Sequence, residues 1–274
     1  MRVSGLFVYP VKSCAGVAVG ESLVTATGFQ WDRRWMVVGD DGRFLTQREH
    51  PRLALVRVRI AEDRLVLSAP VLADLDVPLE SGPGPSTRVT VWQDECDAID
   101  VGGSAAAWFT DYLGITARLV RLASDDARPL GSTAAQPGDR VSFADAYPFL
   151  LLSEASLRQL NRRLNLPVEM DRFRPNIVVD GCAAHAEDSW NALRIGDVDF
   201  RVAKPCSRCV VVTTNQQTGE RGPEPMQTLA TYRLQDGKVM FGQNLVHSGV
   251  GRIRVDDPVV LLDRRRHSSP FCDD

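Results

Sequence analysis

The stretch VRVRIAEDRLVL, residues 56–67, decides the fold class. It contains an alternating run, VRVRI, and a short aliphatic run, LVL, with the polar turn AED between them. Apolar and polar side chains that alternate with period two are typical of a half-buried strand. The stretch therefore predicts two strands joined by a tight turn.

The same pattern recurs along the chain. Residues 88–92 and 117–122 read as strands, and turn signals follow one another closely, at 39–42, 61–63 and 81–86. Such close spacing favours an antiparallel barrel or sandwich over a βαβ array. Helical patterns occupy only residues 104–113, 153–164 and 225–233, the second with Ser153 as its cap. The predicted fold is mainly β with some helix.

Residues 123–139, ASDDARPLGSTAAQPGD, fit neither a strand nor a helix period. We interpret them as a linker between an N-terminal domain, residues 1–122, and a C-terminal domain, residues 140–263. Residues 264–274 are predicted to form a polar tail. At 274 residues and 44% hydrophobic content, the chain has enough apolar side chains for two cores.

Composition excludes several classes of function. With 32 basic and 35 acidic side chains the net charge is -3, which favours neither a nucleic-acid polymer nor an anionic membrane, so any anion site must be a local pocket. No apolar run approaches the roughly 18 residues of a membrane span, and residues 1–11 lack the core of a signal peptide. We therefore expect a cytoplasmic protein. The 6 cysteines are irregularly spaced, which favours free thiols or a metal over a disulfide framework.

The motif CSRC, residues 206–209, is followed by VVVTT, which reads as a strand. A structural zinc site would need further spaced ligands, and a thioredoxin-type site would need a helix after the first cysteine. Two small residues that enter a strand are a third interpretation. Lys204 and Arg208 favour a thiolate, which would suit a metal that takes most of its ligands from a cofactor. The spacing alone leaves these alternatives open.

Other candidates lie at loops beside predicted strands. Lys12 and Ser13 follow the first strand and could bind an anion, although such a loop is usually only solvated. Arg33 lies between two tryptophans, where stacking is the simpler explanation. Arg174, which the following proline should hold extended, could bind phosphate or form an internal salt bridge. Asn244 follows a glycine in FGQN and by itself says little.

Taken in order, seven motifs resemble one family. They are VYPVKSCAG, WDRRWMVV, FLLLSEASL, RFRPNIVVDG, EDSWNALRIGDVDF, CSRCVVVTTNQQTG and FGQNLV. Together they span residues 1–262 and resemble the two-domain MOSC proteins, with the mitochondrial amidoxime reducing component and its bacterial relatives as the nearest branch. The resemblance implies two β-barrel-like domains, an N-terminal MOSC-associated barrel and a C-terminal MOSC barrel.

The resemblance also implies a molybdenum-molybdopterin cofactor in a cationic cleft. Cys209 matches the family's protein ligand to molybdenum and hence its catalytic residue, whereas Cys206 receives no role. The chain departs from the mitochondrial branch at Ala146 and Tyr147, where that branch has small hydroxyl residues, so backbone groups would have to serve there. The positions matching cofactor contacts are Lys12, Ser13, Arg33, Asp145, Tyr147, Arg174, Asn176, Ser207, Arg208 and Asn244.

The implied activity is reduction of small N-hydroxylated compounds: amidoximes, hydroxylamines or N-hydroxylated nucleobases. Electrons would come from a separate flavoprotein reductase, ferredoxin or cytochrome b5-like donor, because the chain lacks the ferredoxin cluster motif of some relatives and ends with a lone Cys272. It also shows no mitochondrial-type membrane anchor. The alternative is a cofactor carrier or sulfur-transfer module without turnover, and a third possibility is a cofactor-free β scaffold.

Overall fold

A computed structural model describes residues 1–80, 84–124, 128–131 and 135–264. The α-helices of this part of the chain are α1 (Gly103–Leu113), α2 (Glu154–Asn161) and α3 (Met226–Ala230). The 3-10 helices are Pro51–Leu55, Met170–Arg172, Ala186–Ser189 and Val210–Thr213. The strands are β1 (Arg2–Val8), β2 (Val17–Val19), β3 (Glu21–Thr25), β4 (Gly28–Phe29), β5 (Trp35–Val38), β6 (Arg57–Ile60), β7 (Arg64–Ser68), β8 (Leu75–Pro78), β9 (Ser86–Val91), β10 (Asp94–Asp100), β11 (Arg118–Leu122), β12 (Arg128–Pro129), β13 (Arg140–Val141), β14 (Phe149–Ser153), β15 (Ile177–Asp180), β16 (Trp190–Ile195), β17 (Val198–Ser207), β18 (Leu234–Gln235), β19 (Lys238–Ser248), β20 (Gly251–Arg254) and β21 (Val259–Arg264).

The predicted hairpin at residues 56–67 is confirmed. Strands β6 and β7 pair antiparallel, with Val58 opposite Leu67. Both side chains are buried in the N-terminal core. Strands β9 and β11 likewise occupy the other two predicted segments. The prediction of a mainly β protein with some helix is therefore confirmed.

Local signals place the helices well and their ends less well. Ser153 caps α2 by accepting a hydrogen bond from the backbone N–H of Ser156 at 3.1 Å. Helix α1 ends at Gly114, whose φ of 70° suits a glycine. Helix α2 ends at Asn161, three residues before the predicted end. There the Asn161 amide exchanges two hydrogen bonds of 2.9 Å with the backbone of Val168 and turns the chain.

The largest sheet joins the two ends of the chain. Its nine strands include β1 and β2, and β1 lies antiparallel against β15. Strand β3 pairs with β20 in a separate sheet. Val3, Leu6 and Val8 of β1 therefore pack in one core with Phe149 and Ile177 of the C-terminal half. The sheets thus cross the boundary predicted at residue 122, and the division into 1–122 and 140–263 stays a prediction.

The N-terminal half has its own apolar clusters. Sheet β5-β11-β10-β9 and sheet β6-β7-β8 enclose them, and α1 packs against β11 and β8. Strands β9 and β10 form a hairpin whose tip is Trp92 and Gln93. This hairpin and the loops after β1 and β5 contact the C-terminal half of the chain.

The predicted strand after Cys209 is wrong. Residues Val210–Thr213 form a 3-10 helix, in which Val212 N–H donates to the Cys209 carbonyl at 3.2 Å. The Thr213 hydroxyl donates to the Val210 carbonyl at 2.8 Å, and Thr213 is buried. Burial and these local bonds override the strand propensity of valine and threonine. Cys206 consequently lies near the end of strand β17 and Cys209 at the start of the 3-10 helix, so the pair does not open a strand.

The predicted linker contains ordered, buried pieces. Strand β12 pairs with β13, and Arg128 and Leu130 are buried. Residues 125–127 and 132–134 of the predicted linker lie outside the described residues, as do residues 265–274 of the predicted tail, including Cys272. Within the described part of the chain, no helix has the length and apolar character needed to cross a membrane.

Candidate functional site

A cleft of about 550 Å³ lies where loops of the N-terminal half meet the end of β17. Several chain segments that are distant in sequence reach it: the loops after β1 and before β5, β14 and β15, and the ends of β17 and β19. Every site residue predicted from the sequence lines this cleft: Lys12, Ser13, Arg33, Asp145, Tyr147, Arg174, Asn176, Ser207, Arg208, Cys209 and Asn244. The structure therefore brings the predicted set together, while the role of each member stays a prediction.

The cleft is strongly cationic although the whole chain is slightly acidic. Its one lining carboxylate among the described residues is Asp145. A cavity of this size and charge suits an anionic small molecule. The lining cations are Lys12, Arg33, Arg48, Arg174, Lys204 and Arg208.

Asp145 holds cations in place at the edge of the cleft. Buried Lys12 donates from Nζ to the Phe143 carbonyl at 2.7 Å and to Asp145. Arg48 donates to the other Asp145 oxygen at 3.2 Å. Burial lowers the pKa of Lys12. Burial alone would raise the pKa of Asp145, but the charges of Lys12 and Arg48 outweigh it and lower that pKa.

Asn176 and Asp32 orient Arg33. Arg33 Nη1 donates to Asp32 at 2.5 Å and to Asn176 Oδ1 at 3.0 Å. The Asn176 Nδ2 donates to Asp32 at 3.1 Å and to the Phe7 carbonyl at 3.2 Å, and its Oδ1 also accepts from Leu150 N–H at 3.3 Å. The amide of Asn176 is thus fully used within the protein, so its side chain positions Arg33.

Arg174 is the guanidinium best placed for a ligand. Its Cζ lies 4.3 Å from the centre of the Tyr9 ring, and that of Arg33 lies 4.4 Å from the same centre. The sequence also allowed an internal salt bridge for Arg174, but within the described residues Arg174 makes none. Burial lowers the pKa of Arg174, a cost that a bound anion would offset.

The expectation that Pro175 holds Arg174 extended is wrong. Arg174 has φ 55°, in the left-handed region. Its N–H donates to the Asp171 carbonyl at 3.2 Å, so a tight turn after the 3-10 helix sets the backbone there. Among the described residues nine non-glycine residues have positive φ, and four of them line the cleft: Ser13, Arg33, Trp92 and Arg174. Backbone strain of this kind tends to cluster at functional sites.

The two cysteines of the CxxC motif differ in environment. Arg208 donates from Nη1 to Cys206 Sγ at 3.0 Å and from Nη2 to the Phe173 carbonyl at 2.6 Å. Cys206 therefore holds the Arg208 side chain, a contact that the sequence did not suggest. Cys209 is exposed at the start of the 3-10 helix and lines the cleft.

The described part of the chain contains no group of three or more His, Cys, Asp or Glu side chains that could hold a metal ion. A metal at Cys209 would therefore need ligands from a bound molecule as well as from the protein. Soft thiolate sulfur is a good ligand for such a metal.

Tyr147 and Asn244 close two sides of the cleft. Tyr147 is 6% exposed, and the centre of its ring lies 5.4 Å from Lys204 Nζ. A bulky ring thus lines the cleft at one of the two positions where the sequence departs from the mitochondrial branch. Asn244 Nδ2 donates to the Pro205 carbonyl at 3.4 Å and ties β19 to β17.

Sequence reasoning missed several cleft residues. Arg48 and Trp92 contact one another, with Arg48 Cζ 4.5 Å from the centre of the indole ring. Gln47 is buried and donates to the Ser13 carbonyl at 2.7 Å, which fixes the loop that carries Lys12. Arg48 belongs to no recognisable motif. For Trp92 a signal was available, because it is an aromatic residue at the end of the predicted strand 88–92 and next to a turn.

Comparisons with known proteins cover both halves of the chain. The family description "MOSC N-terminal beta barrel domain" matches residues 1–116, and "MOSC domain" matches residues 138–260. The chain is 40% identical to mitochondrial amidoxime-reducing component 1 of Mus musculus, over 95% of this chain and 82% of that protein. It is 36% identical to mitochondrial amidoxime reducing component 2 of Homo sapiens, over 95% and 83%. A molybdenum cofactor sulfurase of Drosophila pseudoobscura pseudoobscura is 35% identical over 86% of this chain but only 32% of its own length.

Proposed function

The chain belongs to the MOSC-domain family, as a relative of the mitochondrial amidoxime-reducing components, and on that premise we propose that it is a molybdenum-cofactor-dependent reductase of N-hydroxylated compounds. The observation that carries the proposal is the cleft itself. Among its described lining residues it combines one exposed thiol, Cys209, with six cationic side chains and a single carboxylate. This donor set fits a phosphorylated pterin whose metal accepts one protein sulfur.

The residues of the cleft have separable tasks in this proposal. Cys209 supplies the protein thiolate to the metal. Arg174 and Arg208 bind the anionic part of the cofactor, and Arg33 is held ready by Asn176. When bound, the molybdenum cofactor supplies the two-electron redox chemistry that breaks the N–O bond. The protein's share is to bind, orient and neutralise charge.

The overall reaction requires electrons and protons as well as the substrate. Reduction of an N-hydroxyl group to N–H consumes two electrons and two protons and releases water. We propose that a separate donor protein, a flavoprotein reductase, ferredoxin or cytochrome b5-like protein, delivers the electrons. Ser207, at the end of β17, and Cys209, just after it, are exposed, and they mark the side of the cleft that such a donor can approach. A cytoplasmic location remains a prediction.

Metal analysis and turnover test the proposal together. Protein expressed in cells that make the cofactor should contain close to one molybdenum per chain and reduce benzamidoxime with a chemical electron donor. Cys209→Ser should lose most of the metal and the turnover. The matched control is Cys182→Ser, which changes a partly buried thiol that does not line the cleft. A Cys209→Ser variant that kept both metal and turnover would refute the proposal.

The similarity to a molybdenum cofactor sulfurase supports a second candidate. A cofactor carrier would use the same cationic cleft and the same exposed thiol, and would not turn over N-hydroxylated compounds. Incubation of loaded protein with excess benzamidoxime, electron donor and an acceptor apoprotein separates the two. Stoichiometric transfer of the pterin without product formation would favour the carrier.

A further inference from the structure

A second chamber of about 440 Å³ adjoins the cleft on the side of the β9–β10 hairpin. Its size is within the range of small-molecule sites. The cleft residues Cys209, Arg174 and Arg208 do not line it. Five residues line both spaces, so a molecule in the chamber lies next to one in the cleft: Trp92, Asp145, Ala146, Tyr147 and Lys204.

The charges of the chamber are largely paired, unlike those of the cleft. Arg128 is buried, bonds Asp94 from Nη2 at 2.5 Å, and donates from Nη1 to the carbonyls of Ser142 and Ala144 at 3.1 and 3.0 Å. Asp145 is already paired with Lys12 and Arg48. Among the described lining residues, this leaves Lys204 as the cation without a carboxylate partner. The described lining side chains nevertheless carry two positive and two negative charges, so the wall has no net charge and suits an uncharged molecule better than a second phosphate.

Trp92 occupies an unfavourable backbone position at the chamber wall. Val91 pairs with Asp94, so Trp92 and Gln93 form a two-residue hairpin turn, and Trp92 has φ 60°. Such turns favour Asn or Gly at this position, because other side chains are strained there. A large aromatic residue that is strained and 48% exposed therefore calls for a functional explanation.

The Trp92 ring packs against neighbouring side chains. Arg48 Cζ lies 4.5 Å from the centre of the indole, and the Phe44 ring packs against it edge-on at 5.2 Å. The indole N–H points to Asp145 at 3.4 Å. The Tyr147 ring also lines the chamber. The Trp92 indole, packed against these neighbours and still 48% exposed, offers contact area for a planar ligand at little entropic cost.

We propose that this second chamber binds the organic body of the substrate, and that the substrates it selects are uncharged, planar, aromatic N-hydroxylated compounds. The inference rests on the proposed function, because it assigns the N-hydroxyl group to the adjoining cleft. Trp92 is then the specificity-determining residue: it contacts the substrate's ring. No metal or pterin contact is assigned to it.

Two variants of Trp92 test the assignment. Trp92→Gly removes the ring and suits the positive φ, so the turn should still form. Trp92→Phe keeps an aromatic face and removes the N–H. The matched control is Val71→Ala, which changes another exposed residue with φ 66° that lines neither space.

Steady-state kinetics should separate ring binding from chemistry. Trp92→Gly should raise KM for benzamidoxime about tenfold while kcat stays within about twofold, since stacking acts mainly on substrate binding. Its KM for acetamidoxime, which has no ring, should change less than about twofold. Trp92→Phe and Val71→Ala should both stay close to the wild type for benzamidoxime.

A binding measurement makes the inference independent of turnover. Benzamidoxime binding to oxidised, molybdenum-loaded protein without an electron donor should weaken about tenfold in Trp92→Gly. Wild-type protein that binds benzamidoxime through Trp92 but never reduces it would refute the proposed function and keep the chamber assignment. Equal benzamidoxime binding by wild type and Trp92→Gly would overturn the chamber assignment, whatever the turnover. The chamber assignment would also be overturned if the protein retained a pterin that carries a nucleotide, and if that nucleotide crosslinked to Trp92 on irradiation. The chamber would then belong to the cofactor.

Discussion

The cleft residues divide into those that face a ligand and those that hold their neighbours. The side chains of Asn176 and Asp145 line the cleft, yet their hydrogen-bonding groups are already used by Arg33, Lys12 and other protein atoms. Arg174 and Cys209 have no such partners among the described residues. A match to a motif therefore indicates that a residue belongs to the site, and its hydrogen bonds indicate what it does there.

Replacement of Asn176 by alanine should destabilise the protein by about 2–4 kcal/mol. The change removes four hydrogen bonds at a side chain that is 1% exposed, and leaves Asp32 and the Phe7 carbonyl short of a donor. Urea unfolding followed by circular dichroism measures the loss. The control is Asn191→Ala, an exposed asparagine whose single bond to Asp263 should contribute no more than about 0.5 kcal/mol. Equal losses in the two variants would contradict the positioning role of Asn176.

At the scale of the element, β19 is shaped by one glycine. Gly242 has φ 83°, and a Cβ there would lie 2.8 Å from the backbone carbonyl oxygen of Leu151 in β14. Strand β14 is the neighbour of β19 in the sheet, and Asn244 follows two residues later. Close approach of the two strands thus places Asn244 at the cleft, and only glycine permits that approach.

Gly242→Ala should therefore cost more than an ordinary glycine replacement. We expect a loss of about 3 kcal/mol or more, from the left-handed backbone together with the clash against a backbone atom that cannot move aside. Gly237→Ala is the matched control: Gly237 has φ 72° at the turn into β19, and nothing lies within 4 Å of its added Cβ. That variant should lose about 1–2 kcal/mol, from backbone strain alone. Thermal and urea unfolding of both variants would show the difference, and similar losses would contradict the packing argument.

For the whole molecule, the C-terminal sheet depends on the first strands of the chain. Strand β1 covers the edge of β15, and its apolar side chains fill the core beside Phe149 and Phe200. Strands β3 and β4 add Val24 and Phe29 to the same core. A C-terminal half without them would expose an unpaired strand edge and an apolar face.

A fragment of residues 138–264 should accordingly fail to fold by itself. We expect neither a cooperative thermal transition nor dispersed amide resonances from it. A chain in which residues 1–30 are joined to 138–264 by a flexible linker should recover both, because it restores β1 to β4. A cooperatively folding fragment of residues 138–264 would show that the N-terminal strands are dispensable for this core.

The sequence by itself determined the features that depend on neighbours along the chain. The hairpin at 56–67, the cap at Ser153 and the glycine that ends α1 follow from period and capping, which act over a few residues. The ordered motifs identified the family and the membership of the cleft. These signals are local, and tertiary packing leaves them intact.

Other features depend on how segments distant in sequence pack together, and only the tertiary structure decided them. It decided the 3-10 helix after Cys209, the left-handed turn at Arg174 and the bond from Arg208 to Cys206. It also decided that β1 pairs with β15 and that the turn with Trp92 lines the second chamber. The last two join residues far apart in sequence. The first three are short-range hydrogen bonds in segments that pack against distant parts of the chain, as Arg208 does against the Phe173 carbonyl. Their free energies outweigh local propensity at the very positions where the site is built.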